Sequence, residues 1–476
     1  MLAGAALRIG LMFDRELSFD EAATAYFARL AMADLWGDTG RLETNPPLFY
    51  SLVAVLDRLG LPAEYNRLAS IAADVASIGV AALLARRFGG RFAAVAASWL
   101  VASSPVMVDV SVEARAYAML ATLGLAGVWL AIRLLDGGRR RDTVLLVLVE
   151  IAALYTHNTA VILLTALNGM ALLGWVGRKP LDVPLARRWL AAQALVGLAW
   201  LPWLPVVFGQ AVDDLAQFWI ARPGLMALRY EFQKLAGQPT VAWPQPLADL
   251  VFMALSALGL VALWASARRD RGLALGLGVM VLVGVPVATW LISQWRPLMN
   301  GRVLLWLVAF HLVLVATALA WRPPTAWRRW GAALLAVLVA VQLSAFPGWR
   351  AARQGENWRD VADMLREGMR AGDALYLSPA PTMLLLTHHG WQPASHALYG
   401  RAEWRCYRRF PGTLMAPDAA AAALAEEPRL WIVTRRDTRS HDAMVGALAT
   451  TMAERRVQRA GRRYDSGIDV SVLTQR

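Results

Sequence analysis

A single cysteine, Cys406, stands in 476 residues, which excludes an internal disulfide and any cysteine-based zinc site. Charge is scarce too: 17% of residues are charged, against about 25% in soluble globular chains. The chain has no phosphate-binding Walker loop, no glycine-rich dinucleotide loop after a strand and no HExxH zinc motif. An ATP-driven or nicotinamide-dependent enzyme is therefore unsupported, and any activated substrate must bring its own leaving group. No internal repeat and no low-complexity tract interrupts the sequence.

What is abundant is apolar. Hydrophobic residues make up 57% of the chain, and successive runs approach the roughly 20 residues a helix needs to cross the hydrocarbon core. Such runs lie at about 67–87, 92–110, 114–134, 143–157, 159–176, 188–208, 247–267, 272–294, 302–321 and 328–346. Several of the 21 tryptophans (Trp175, Trp264, Trp295, Trp321) fall at their ends, where an indole favours the headgroup boundary. The pattern predicts a mostly α, polytopic transmembrane bundle. The net charge of +13 does not indicate nucleic acid, because the arginines gather in short loops: Arg86-Arg87, Arg139-Arg140-Arg141, Arg187-Arg188, Arg268-Arg269 and Arg328-Arg329. That is the positive-inside signature and places these loops in the cytoplasm. Asp20, Glu113, His157, the loop 209–245 and Arg296 to Arg302 then fall on the opposite side.

Three regions depart from this pattern. Met1 to Phe13 is apolar but too short to span, so the first crossing is expected to be incomplete or its start assigned late. Residues from about 14 to 66 are mixed and amphipathic, and Phe19–Trp36 and Leu48–Leu59 read as interfacial helices in the first external loop. Beyond residue 347 no run can span. Residues 348–476 read as a small soluble α/β domain outside the cytoplasm, with a helix over Asp360–Met369 and strands over Ala374–Ser378, Leu430–Thr434 and Ile468–Leu473.

Carboxylates at the mouths of membrane segments are costly to keep and are functional candidates by default. Asp20 and Glu21 follow the first apolar stub. A partly desolvated carboxylate there suits a general base for a hydroxyl nucleophile or a divalent-ion ligand, while Ser18 followed by Glu21 also matches a helix capping box. Asn45-Pro46-Pro47-Leu48 is a rigid break leading into a helix, with Asn45 as a polar contact. In Glu113-Ala114-Arg115-Ala116-Tyr117, Glu113 and Tyr117 share a face if the segment is helical and all three polar side chains share one if it is extended, and Arg115 offers fixed donors for a phosphate oxygen. A structural Glu–Arg pair is the plainer alternative. His157, at a turn between two runs, can donate to a phosphate or sugar hydroxyl or be structural; Arg296 and Arg302 suit an anionic headgroup or ordinary snorkelling. Glu150, inside a run, is expected to pair within the bundle.

In this order, Asp20-Glu21-Ala22, Asn45-Pro46-Pro47-Leu48-Phe49-Tyr50, Glu113-Ala114-Arg115-Ala116-Tyr117 and Tyr155-Thr156-His157 resemble the bacterial membrane glycosyltransferases of GT-C fold. More narrowly, they resemble the glycosyltransferase family 39 and aminoarabinose-transferase-like group, relatives of the protein O-mannosyltransferases. Arg296-Pro297 to Arg302, and Glu356-Asn357-Trp358-Arg359 opening the tail, resemble features of the same group. The resemblance covers nearly the whole chain. It implies a transmembrane catalytic domain over 1–347, a multi-pass protein of the inner membrane with its active site on the external face, and transfer with inversion from a polyprenyl-phosphate sugar, such as an undecaprenyl-phosphate sugar. The acceptor would be a lipid, glycan or protein. Asp20, with Glu21, would be the catalytic pair. Asn45, Glu113, Arg115, Tyr117, His157, Arg296 and Arg302 would bind donor phosphate or substrate. No cofactor is required by the sequence, and a divalent metal ion stays open. Membrane lipids are expected partners; nucleic acid is not. A lipid-linked sugar flippase is the first rival, but it calls for polar residues across the midplane and repeat symmetry. An oligosaccharide ligase or polymerase is the second.

Overall fold

A computed structural model describes residues 1–43, 45–176, 182–213, 222–233, 245–266, 276–299, 302, 304–321, 327–352, 356–391, 397–399, 413–414, 417–435, 438–449, 452–458 and 467–475. Arg268-Arg269, Cys406 and residues 214–221 and 234–244 of the loop 209–245 lie outside the described residues. The chain forms two compact units. The first comprises Met1–Met12, Thr44–Leu56 and Tyr65–Trp349; the second comprises Phe13–Glu43, Asp57–Glu64 and Arg350–Arg476. The segment expected to form interfacial helices is thus shared between both units.

The first unit is a bundle of apolar helices. Among the described residues, four helical stretches are long and apolar enough to cross a membrane: Ala63–Ser103, Tyr117–Leu135, Val183–Gln210 and Arg329–Arg350. Shorter apolar helices accompany them, including Leu2–Leu11, Ala160–Trp175, Leu250–Ala265 and Leu305–Ala320. The helix Arg67–Ser103 is two helices joined at Gly90, whose backbone (φ 75°, ψ −158°) leaves the helical region. Only glycine adopts that conformation without steric cost. The two arms fold back on one another, because the Arg8 guanidinium contacts both Asp74 on the first arm and the Val101 and Ala102 carbonyls on the second. The two separate runs expected at 67–87 and 92–110 are these arms, the second ending at Ser104, whose side chain caps the short helix Pro105–Ser111.

Helix Leu305–Ala320 is buried along nearly its whole length and packs on the folded-back pair, on Tyr117–Leu135 and on Gln245–Ser266. The last contact is close enough that a Cβ at Gly259 would lie 2.0 Å from the Leu314 carbonyl oxygen, so the two backbones approach as only glycine permits. Helix Tyr117–Leu135 has 19 residues, which rise about 28 Å, near the roughly 30 Å hydrocarbon thickness.

The bundle has two chemically distinct ends. At one, Arg87 pairs with Asp136 at 2.8 Å, Arg133 with Asp142 at 3.0 Å, and Arg188 donates to the Gly138 carbonyl at 2.8 Å. Three of the basic loops therefore meet at a common face. The same helices carry Tyr117 and His157 at their other ends, where Glu113 and Arg302 meet Tyr117.

The second unit is built on a mixed sheet of β1 (Ala374–Ser378), β2 (Ala397–Tyr399), β3 (Thr413–Leu414), β4 (Arg429–Arg435), β5 (Met452–Gln458) and β6 (Ile468–Gln475) in the order β3-β2-β1-β4-β6-β5. The β1, β2, β3 and β4 pairings are parallel; β6 runs antiparallel to both β4 and β5. All five residues of β1 are buried, as expected of a strand covered on both faces. Helix Trp358–Gly368 precedes the sheet, with Asn357 as its cap. The N-terminal part of this unit holds helices Phe19–Ala28 and Met32–Leu42 in place of the one continuous helix expected over Phe19–Trp36. The chain is a mostly helical membrane bundle with a small α/β unit.

Candidate active site

Glu113, Arg115, Tyr117, His157 and Arg302 all belong to the first unit, and its folding brings most of them into a chain of contacts. Glu113 is buried in the short connection between helices Pro105–Ser111 and Tyr117–Leu135. Its carboxylate receives Arg302 at 3.2 Å (Nη1 to Oε2) and 3.4 Å (Nη2 to Oε1), a two-pronged ion pair. The Arg302 guanidinium also lies over the Tyr117 ring, 5.5 Å from its centroid, with the side chain 39% exposed. The carboxylate and the ring thus hold a cation that still faces solvent.

Tyr117 continues the contacts to His157, with ring centroids 5.6 Å apart. His157 ends helix Arg140–Thr156 in an extended conformation. Its Nδ1 accepts the Thr159 backbone N–H at 3.2 Å and sits 2.8 Å from the Thr159 hydroxyl. With Nδ1 an acceptor, the ring is neutral and its proton is on Nε2.

Arg115 turns elsewhere. It is buried, donates to the Tyr50 hydroxyl at 3.3 Å, and its carbonyl accepts the Ser70 hydroxyl at 3.0 Å. Arg302 rather than Arg115 is therefore the exposed guanidinium of the group. Arg296 begins the segment leading to Arg302, and its backbone N–H donates to the Ile292 carbonyl. Ser293 braces that segment by accepting the N–H groups of Leu298 at 3.1 Å and Met299 at 2.9 Å. Asn45 is buried at the Pro46-Pro47 break before helix Leu48–Asp57.

Asp20 and Glu21 belong to the second unit, in the first turn of helix Phe19–Ala28. The capping box suggested by the sequence forms: Glu21 accepts the Ser18 N–H at 2.9 Å, and the Ser18 hydroxyl accepts the Glu21 N–H at 3.4 Å. Arg15 adds an ion pair to Glu21 at 3.2 Å. Glu21 is buried in the cap, while Asp20 is half-buried beside it.

Sequence reasoning did not single out Tyr50, Ser70 or Thr159. Tyr50 left a signal, a polar hydroxyl in an apolar helix just after a proline break. Thr159 and Ser70 act through neighbours brought near by folding and left none. Glu150 pairs within the bundle as expected, accepting from Gln193 at 2.9 Å.

No protein-family profile and no curated protein matches the chain. Solved structures do. ArnT from Cupriavidus metallidurans, in its apo state and bound to undecaprenyl phosphate, aligns over 99% of this chain and 97% of its own, with a TM-score of 0.63 and 16% identity. The Archaeoglobus fulgidus oligosaccharyltransferase tethered to an acceptor peptide aligns over 87% of this chain and 64% of its own, with a TM-score of 0.56 and 13% identity. These likenesses establish the fold as that of the GT-C membrane enzymes.

Proposed function

We propose that this chain is an integral membrane glycosyltransferase that moves a sugar from a polyprenyl-phosphate donor to an extracytoplasmic acceptor, with inversion. The observation that carries the reading is the Glu113–Arg302–Tyr117 group, which presents a half-exposed guanidinium at the end of the bundle opposite the basic loops. The neighbours support it: ArnT of the same fold binds undecaprenyl phosphate.

In this reading the acceptor hydroxyl attacks the anomeric carbon, the bond from that carbon to the phosphate oxygen breaks, and the hydroxyl proton passes to Asp20. The departing polyprenyl phosphate gains one negative charge, which Arg302 neutralises where it develops. Arg115, Tyr117 and His157 shape the phosphate and sugar contacts, with His157 Nε2–H as a neutral donor. Glu21 holds the helix turn that carries Asp20. Asn45 and Arg296 are assigned to substrate binding by their place in the motifs. Among the described residues no three His, Cys, Asp or Glu side chains are grouped as a metal site requires. Arginine supplies the positive charge in this scheme.

The test uses the purified protein in lipid nanodiscs with a panel of radiolabelled polyprenyl-phosphate sugars and crude membrane extract as acceptor. Release of free polyprenyl phosphate from one donor is expected, nearly abolished in Asp20→Asn, and its response to EDTA decides whether a divalent ion takes part. Wild-type turnover in Asp20→Asn would remove Asp20 from the mechanism. Release from no donor shifts the assignment to a flippase or an oligosaccharide ligase.

A further inference from the structure

The Glu356-Asn357-Trp358-Arg359 segment has no part in the chemistry above, yet it meets the N-terminal segment that carries Asp20, in the same compact unit. Glu16 lies across the N-terminus of helix Trp358–Gly368. Its Oε2 accepts the backbone N–H groups of Trp358 at 3.2 Å and Arg359 at 3.3 Å. A carboxylate there satisfies N–H groups that the helix itself leaves without partners and meets the positive end of its dipole. Two residues earlier, Asp14 pairs with Arg350 at 2.7 and 2.8 Å.

One residue before Asp20, the Arg435 guanidinium at the end of β4 covers the Phe19 ring, 4.8 Å from its centroid. Arg435 is held by Glu356 at 2.6 Å, and the same oxygen, Oε2, accepts the Trp358 indole N–H at 2.9 Å. The Glu356 side chain is 9% exposed and Trp358 is wholly buried, so these bonds are only partly screened by water. Asp20 therefore follows a segment fixed at Asp14, Glu16 and Phe19, each fastened to the α/β unit by a charged contact.

We propose that Glu16, Glu356 and Arg435 are positioning residues that fix the Asp20 carboxylate. The α/β unit then serves transfer by buttressing the turn that bears the base. This inference rests on the reading of Asp20 as base. A misplacement of about 1 Å at a reacting group costs on the order of 100-fold in rate, so loosening this turn acts on kcat and leaves donor KM unchanged.

The experiment measures kcat and donor KM for Glu356→Ala, Arg435→Ala and Arg435→Lys in full-length protein in nanodiscs, with amide exchange of residues 13–28 followed in each. Glu356→Ala and Arg435→Ala are expected to lose kcat by about 10- to 100-fold with unchanged donor KM and faster exchange over 13–28. Arg435→Lys, which keeps a cation over Phe19, should recover most of the loss. Combined with Asp20→Asn, Glu356→Ala should add nothing, because residues acting through one group are not additive. Should Glu356→Ala fail to insert, Phe19→Leu removes only the ring beneath Arg435 and serves the same measurement. Wild-type kcat and exchange in Glu356→Ala, beside an inactive Asp20→Asn, overturns the positioning role alone. A further additive loss in the Asp20→Asn background also overturns it. An active Asp20→Asn removes the base assignment and this inference together.

Discussion

Two arginine–carboxylate pairs occupy the same helical bundle, and they are built for different ends. Arg8 and Asp74 are both fully buried. Arg8 also donates to the carbonyls of Gly4 at 3.0 Å and Ala102 at 2.9 Å, and the Ser77 hydroxyl lies 3.4 Å from Asp74. That pair ties helix Leu2–Leu11 to both arms of the folded-back helices, with donors met from every side. Arg302 and Glu113 sit at longer range, 3.2 and 3.4 Å, and Arg302 keeps a solvent-facing surface over an aromatic ring. A saturated pair is a fastening; a pair with one partner facing solvent can exchange part of its interaction for an incoming anion.

Breaking the fastening should have the largest effect. Arg8→Ala leaves Asp74 as an uncompensated buried acid, and removing one partner of such a pair costs about 3–5 kcal/mol. The expected outcome is a sharp fall in the thermal unfolding midpoint in detergent, and poor recovery from membranes. Arg302→Ala should do the reverse. Its unfolding midpoint is expected to fall less than that of Arg8→Ala, because Arg302 is 39% exposed and this pair already meets solvent on one side, while kcat/KM for polyprenyl-phosphate release falls by about 100- to 1000-fold, the usual loss when one charge-stabilising donor is removed. Equal loss of stability in both variants would erase the distinction.

Replacing both partners sharpens it. Arg8→Met with Asp74→Leu removes the charges together and is expected to restore the unfolding midpoint close to wild type, since buried ion pairs often yield to apolar residues of similar volume. Activity should return with it. Arg302→Met with Glu113→Leu should be equally well folded and remain inactive, as measured by the same release assay.

The sequence made the bundle legible because twenty-residue apolar runs and arginine-rich loops are signals carried by single segments. Glu113, Tyr117, His157 and Arg302 were legible for the same reason, as polar groups where a greasy chain keeps few. Arg8 was not: its partner Asp74 is 66 positions away, and only the turn at Gly90 brings the second arm's carbonyls to it. The sheet shows the same divide. The buried strands β1, β4 and β6 read from their apolar runs, whereas β5, Met452-Ala453-Glu454-Arg455-Arg456-Val457-Gln458, is charged in sequence and, among the described residues, an edge strand that pairs with β6. Asp20's setting was half legible. Ser18 and Glu21 announce the cap, but nothing local announces that Glu16 and Phe19 are gripped by residues more than 300 positions later.

A third contact carries the comparison to the α/β unit, with the smallest expected effect. His389 Nε2 lies 3.7 Å from Glu16, and its side chain is nearly buried. Unlike the two arginines, which stay charged at every accessible pH, this imidazole changes its charge with pH. Burial, chiefly, and then the neighbouring His388 hold its proton affinity below the ordinary imidazole value of 6.5, with Arg359 adding to the effect while Glu16 and Glu64 oppose it. The folded unit therefore binds fewer protons than the unfolded chain just below that pH. The stability it contributes is complete above about pH 6.5 and is lost as pH falls toward the lower folded-state value. Amide exchange over 13–28 and 383–391 should accelerate as pH drops through this window, after correction for intrinsic rates. His389→Gln should flatten that slope, while the exchange of helix Leu2–Leu11, fastened by Arg8, stays level throughout. A slope that survives His389→Gln would assign the titration to another group.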